Sequence, residues 1–179
     1  MLDVKERGRK LILSGQNLHD TLRGLARLAE EKMPGAMTGY TLVDDSRSFI
    51  TEAVFPTLPP IFEKSISAIP LDRPVGTCVQ ALRTRTPVVS TDILADARFD
   101  VAWRDMCLRC GINAVKSIPF GEAGDPAEGT FVVGYPQATQ EAGFDSATMQ
   151  LFADLGRDAI RLYRSLSVPA TQQQISPAE

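Results

Sequence analysis

Residues 75–120 read VGTCVQALRTRTPVVSTDILADARFDVAWRDMCLRCGINAVKSIPF, and the fold is decided within this run. Gly76 opens a short apolar-faced helix through Leu82, which Thr86-Pro87 breaks. Val88 and Val89 start a buried strand that ends by Ile93. The loop DILADARFD follows, carrying Asp92, Asp96 and Asp100. From Val101 to Cys110 the helical period places Trp103, Met106, Cys107 and Cys110 on one side, and Gly111 supplies a left-handed C-terminal cap. A second strand runs from Ala114 to Phe120. All three cysteines and the only tryptophan of the chain fall in this run.

Working towards the N-terminus, residues 36–43 and 48–55 are rich in β-branched and aromatic residues and flank Asp44-Asp45-Ser46. That pattern predicts a hairpin. Ile61 to Ile69 predicts a turn or two of helix, and Ala68 to Leu71 a short edge strand. Before the hairpin, Leu18, Leu22, Leu25, Ala29 and Met33 recur at offsets of 4, 7, 11 and 15. One face of an amphipathic helix repeats this way, with Asn17 as its cap and Pro34-Gly35 as its stop. Towards the C-terminus come a Gly/Pro-rich turn, a strand from Thr130 to Tyr135, and a helix opened by Asp145 or Ser146. The apolar face of that helix is Phe152, Leu155, Ala159, Leu162 and Leu166. Three segments follow: a helical extension at 1–16, one domain at 17–167, and a disordered tail at 168–179. Hairpins at both ends indicate an α+β fold with an antiparallel sheet.

Composition narrows the function. Apolar residues make up 44% of the 179 and charged residues 23%, an ordinary globular balance. The net charge of -3 offers no positive field for a polyanion, so nucleic acid is not an expected partner. No apolar run approaches the roughly 20 residues that span a bilayer, and the N-terminus lacks a secretory apolar block. Three cysteines are too few for a disulfide framework. A cytoplasmic protein without a membrane partner is expected.

The order of these pieces resembles the GAF family of small-molecule-sensing domains, in the type that accompanies PAS domains, sensor histidine kinases and diguanylate cyclases. The resemblance rests on GTC at Gly76 to Cys78, PVVSTDI at Pro87 to Ile93, DARF at Asp96 to Phe99, and GINAVKSIPF from Gly111. It covers about Leu18 to Leu166. It implies a GAF-like, profilin-like sheet of six antiparallel strands flanked by helices, including long N- and C-terminal helices. A pocket is implied between the sheet and the connections after the third strand, and a homodimer through the terminal helices. The implied role is sensing of an unidentified small molecule without turnover, with output through that dimer, a sensor kinase or another signalling protein. Lys116 stands where relatives often carry a tryptophan, and Val79-Gln80 replaces a glycine-containing turn, so no relative's ligand is carried over.

Candidate ligand-binding residues are Cys78, Arg98, Phe99, Trp103, Cys107, Lys116 and Ser117. Aromatic rings supply apolar walls, while a guanidinium or ammonium orients a polar group. Against this stands the plainer reading that Phe99 and Trp103 are core and Arg98 a solvated loop residue. Cys107 and Cys110 have the C-x-x-C spacing of redox and zinc sites, but His19 is the only histidine and the four ligands of a structural zinc are lacking. Small buried residues on a helix are the simpler account. Asp92, Asp96, Asp100 and Asp105 near Cys107 offer iron-type ligands, yet loop carboxylates are ordinarily turn formers and caps. No metal or catalytic residue is assigned. Two alternatives stay open. One is a thiol enzyme like the free methionine-sulfoxide reductases, GAF domains in which one thiolate attacks the sulfoxide and another thiol resolves the intermediate. The other is a scaffold that binds no ligand. The N-K-x-F-D signature of cyclic-nucleotide-binding relatives is absent.

Overall fold

A computed structural model describes residues 2–67, 69–73 and 75–167. The tail expected at 168–179 lies outside the described residues, as does Ala68 of the expected edge strand. The chain runs α1 (Leu2–Ser14), α2 (Leu18–Lys32), β1 (Met37–Val43), β2 (Ile50–Val54), α3 (Pro60–Ile66), α4 (Gly76–Thr84), β3 (Val88–Ser90), α5 (Val101–Arg109), β4 (Ala114–Phe120), β5 (Gly129–Tyr135), a 3-10 turn (Glu141–Gly143) and α6 (Ser146–Ser167).

Among the described residues five strands form one antiparallel sheet in the order β2-β1-β5-β4-β3. Six were expected. The missing strand survives as a bridge between Phe49 and Pro70, held by Ile50 N–H donating to Ile69 O (3.0 Å) and Leu71 N–H to Ser48 O (2.8 Å). The next donors on either side are used elsewhere, Ser48 N–H by Asp44 Oδ1 (2.7 Å) and Ile69 N–H by Ile66 O (3.3 Å), so the sixth strand stops at one pair. The strand expected at 88–93 also ends early, at Ser90, as an edge strand paired with β4 alone.

Side chains alternate between the two faces of the sheet and build two cores. On one face Tyr40, Ile118, Phe131 and Val133 pack against α1, α2 and α6; on the other Val115 and Val132 pack against α3, α4 and α5. Asn17 caps α2 as expected, its side chain accepting from Asp20 N–H at 2.8 Å. Asp145 rather than Ser146 caps α6, accepting from Thr148 N–H at 3.0 Å. Gly156 lets α6 press onto the sheet: a Cβ there would lie 2.6 Å from the Tyr40 ring.

The apolar faces read from the two long helices are consumed inside the chain. Leu22, Leu25, Ala29 and Met33 of α2 and Phe152, Leu155 and Ala159 of α6 are buried in the same core, as are Val4 and Ile12 of α1. Leu166 departs from that stripe and is 70% exposed.

Candidate functional site

The second core, under α3, α4 and α5, is not filled. A partly enclosed cavity of about 30 Å³ lies against the sheet, with Phe55, Phe62, Cys78, Phe99, Trp103 and Val132 among its walls. Beside it an open cleft of about 240 Å³ shares Ile69, Val75 and Trp103 with the cavity. Trp103 thus forms a wall common to the two spaces.

Local sequence chemistry sets this wall. Asp100 caps α5, accepting from Trp103 N–H at 2.8 Å, which orients the first turn and its indole. That hydrogen bond, followed by the contact with Arg73, holds the Asp100 carboxyl below its ordinary value. The indole stacks on Phe62 with ring centres 5.5 Å apart. Gly76 sits directly behind it at φ 64°, where a Cβ would be 2.8 Å from the indole Nε1. Both the positive φ and the close approach require glycine. Gly76 N–H donates to Arg98 O at 3.2 Å, which ties the start of α4 to the acidic loop.

The polar atoms at the cavity edge satisfy one another. Thr77 Oγ1 and Ser117 Oγ share a hydrogen bond of 2.8 Å, and Cys78 Sγ lies 3.4 Å from Ser117 Oγ. Burial pushes the Cys78 thiol up, more than these neighbours lower it. Burial also pushes Cys107 up, reinforced by the nearby Cys78 and Cys110 thiols, and burial raises Cys110 as well. All three cysteines are free, and all three are held towards the neutral thiol.

The seven candidate residues therefore separate. Cys78, Phe99 and Trp103 line the cavity. Ser117 is buried at its edge, and Cys107 is buried in the core around it. Lys116 does not join them. It alternates with Ser117 along β4 and so faces α6, where Nζ donates to Ser146 Oγ at 2.9 Å and approaches Glu141 Oε1 at 3.7 Å. Arg98 is also turned away: its Nε donates to Asp96 Oδ1 at 2.8 Å, and its NH2 group bonds Val89 O. Phe55, Phe62 and Thr77, which also line the cavity, were missed as site residues.

The loop carboxylates serve turns and caps. Asp92 accepts from Leu94 N–H at 2.9 Å, and Asp96 pairs with Arg98. Among the described residues no cluster of three or more His, Cys, Asp or Glu is placed to hold a metal ion. His19 pairs with Glu52 at 2.6 Å, far in sequence from the cysteines. Burial would raise the Asp96 carboxyl, but the Arg98 hydrogen bonds outweigh it and hold it down to about 2. A carboxyl depressed on folding stabilises above its unfolded value near 3.8 and loses that contribution as pH falls to about 2. Asp96→Asn is therefore expected to cost about 1–2 kcal/mol at pH 7, discounted for the half-exposed Arg98. In urea unfolding the gap from the unsubstituted protein should close between about pH 4 and pH 2.

Comparison with known proteins places this arrangement among solved folds. No family model matches the chain. The free methionine-R-sulfoxide reductase from Neisseria meningitidis, solved with its substrate, superposes with a TM-score of 0.68 at 18% identity, covering 91% of this chain and 89% of that one. The GAF domain of a phosphoenolpyruvate-protein phosphotransferase from Acinetobacter superposes with a TM-score of 0.66 at 19% identity, covering 92% and 95%. In sequence, the methyl sulfide methyltransferase-associated sensor of Methanosarcina acetivorans is 27% identical over 122 residues, or 68% of this chain. That match spans only 12% of the length of the Methanosarcina protein.

Proposed function

We propose that this chain, which has the GAF-domain fold, is a sensory or regulatory domain that takes up a small, largely apolar molecule between its sheet and α3–α5 and does not turn it over. The observation that carries this reading is the cavity itself, walled by aromatic and aliphatic side chains, with its few polar groups already paired along one edge. A volume of about 30 Å³ is far below the few hundred Å³ of an ordinary ligand pocket. Occupancy therefore involves expansion towards the adjoining cleft, with Trp103 as the moving wall. Phe99, Trp103, Cys78, Cys107 and Ser117 are the residues that ligand would meet.

The reading further places the protein in the cytoplasm, with residues 17–167 as the sensing unit. Three free thiols accord with a reducing compartment. Among the described residues no helix is long and apolar enough to cross a membrane. Output runs through a signalling partner such as a sensor kinase, or through a second copy. Pairing of copies would use the outer surface of the terminal helices, where Leu13 and Leu166 are 77% and 70% exposed.

The thiol-enzyme alternative has the fold in its favour, since a free methionine-R-sulfoxide reductase superposes on the chain. Against it stands the direction of all three thiols, because a nucleophilic cysteine needs a depressed pKa and these are raised. One experiment separates the readings. Thermal unfolding is followed with indole, toluene, dimethyl sulfide and butanol, and the same sample is assayed with free methionine sulfoxide and dithiothreitol. The expected result is a saturable rise in melting temperature with at least one apolar probe, retained in Cys107→Ser, and no thiol consumption. Turnover abolished by Cys78→Ser would establish the enzyme instead. Silence in both assays would favour a scaffold.

A further inference from the structure

We infer that a second binding site, separate from the cavity, lies at the C-terminal end of α6 and takes a small organic cation, a primary ammonium on a short apolar stem. The site is a groove of about 340 Å³ with Leu18, Leu42 and Ile160 as apolar floor and Thr51, Glu128 and Tyr163 among its polar walls. Its decisive feature is Glu128, whose residue is only 6% exposed. One carboxylate oxygen, Oε1, takes Arg164. The other, Oε2, is fully buried and has no hydrogen-bond partner among the described residues.

A buried carboxylate oxygen without a donor is costly, and the cost is relieved by any donor that reaches it. An ammonium brings three donors and a full charge on a compact head. In this groove the head would meet Glu128, with the Thr51 and Tyr163 hydroxyls nearby as further acceptors. Tyr163 is already fixed by Thr21, whose Oγ1 lies 2.9 Å from its hydroxyl, so that wall is preformed. The stem would lie on the leucine and isoleucine floor. A neutral alcohol gains the floor but not the charge, and a carboxylate is repelled.

Arg164 is the internal competitor. Its side chain is 56% exposed, so it can swing into solvent while the ligand takes over the carboxylate. Because Arg164 sits in the last turn of α6, occupancy exchanges a tie between that turn and the sheet for a bond to the ligand. Ligand binding here would thus loosen the end of the helix.

The test titrates the full chain with n-butylammonium, n-butanol and butyrate at pH 7, read by calorimetry and by amide chemical shifts. Butylammonium is expected to saturate in the millimolar range, with the two neutral and anionic analogues at least tenfold weaker. Glu128→Gln should remove the preference, and Arg164→Ala should tighten butylammonium several-fold by removing the competitor. Should Glu128→Gln not fold, the shift map of the unsubstituted protein still decides, since it must centre on Thr51, Glu128 and Tyr163. Equal binding of butanol and butylammonium, an unchanged preference in Glu128→Gln, weaker binding in Arg164→Ala, or shifts centred elsewhere would overturn the assignment.

Discussion

Phe152→Ala is expected to lower unfolding stability by about 3–5 kcal/mol, the largest effect of any single truncation proposed for this chain. Phe152 is fully buried at the centre of the α6–sheet interface and stacks on Phe131 with ring centres 5.5 Å apart. Its carbonyl accepts from the Tyr40 hydroxyl at 2.8 Å, so the same turn of α6 is held to β1 by packing and by a buried hydrogen bond. Removing the ring leaves a void that Gly156 and Tyr40, already in close approach, have no slack to fill. Domains of this size have about 5–15 kcal/mol in hand, so the variant should sit near the edge of folding. Phe152→Leu, which keeps most of the volume, should cost clearly less. Urea midpoints of the three proteins check this, and a loss below about 1 kcal/mol for the alanine variant would show that the interface relaxes where the geometry says it cannot.

The parts of the fold that could be read from the residues are those where a period and a stop signal agree. β4 runs from Ala114 to Phe120 as expected, and α2 starts after Asn17 and ends before Pro34-Gly35. The departures come where one backbone atom or one pairing partner decides. Asp44 Oδ1 and Ile66 O take the Ser48 and Ile69 N–H groups that a sixth strand needs, and β3 has only β4 beside it. Neither fact is a property of a window of residues. The helix faces were also visible, but not what covers them: α2 and α6 share a single core with α1, so a stripe that reads as an interface is spent within the chain.

The candidate site was legible in the same uneven way. Phe99, Trp103 and Cys78 were picked as chemistry-bearing residues in the run that builds the pocket wall, and the three meet at the cavity. Lys116 was chosen for its charge together with Ser117, although neighbours in a strand face opposite ways. Strand alternation alone separates the pair, once Val115 or Ser117 is assigned to the cavity side. Arg98 was chosen likewise, and its guanidinium is used up by Asp96 two residues earlier, a local pairing typical of a turn. Glu128 gave no signal at all. It sits at the end of a Gly- and Pro-rich turn, where an acidic residue ordinarily reads as solvated, and only the return of α6 over the sheet buries it.

Trp103→Ala is expected to cost about 3 kcal/mol and to convert the small cavity into one that binds indole. The indole ring stacks on Phe62 and stands between the inner cavity and the outer cleft, so its removal joins the two spaces. What remains is an aromatic-walled hollow of the truncated side chain's own shape, reached from the outer cleft, and apolar cavities of this kind take up matching ligands. Indole at ten times its dissociation constant should return about 1.4 kcal/mol of the lost stability. Thermal unfolding with and without indole reads both numbers, and the unsubstituted protein should respond far less at the same concentration. The result bears directly on the sensing role. If indole restores the variant, the α5 wall can move aside while the sheet, α3 and α4 keep the pocket's shape, which is what expansion around a natural ligand requires. If truncation costs little and indole does nothing, Trp103 is a cover over a collapsed core, and the proposal that it gates a ligand pocket fails.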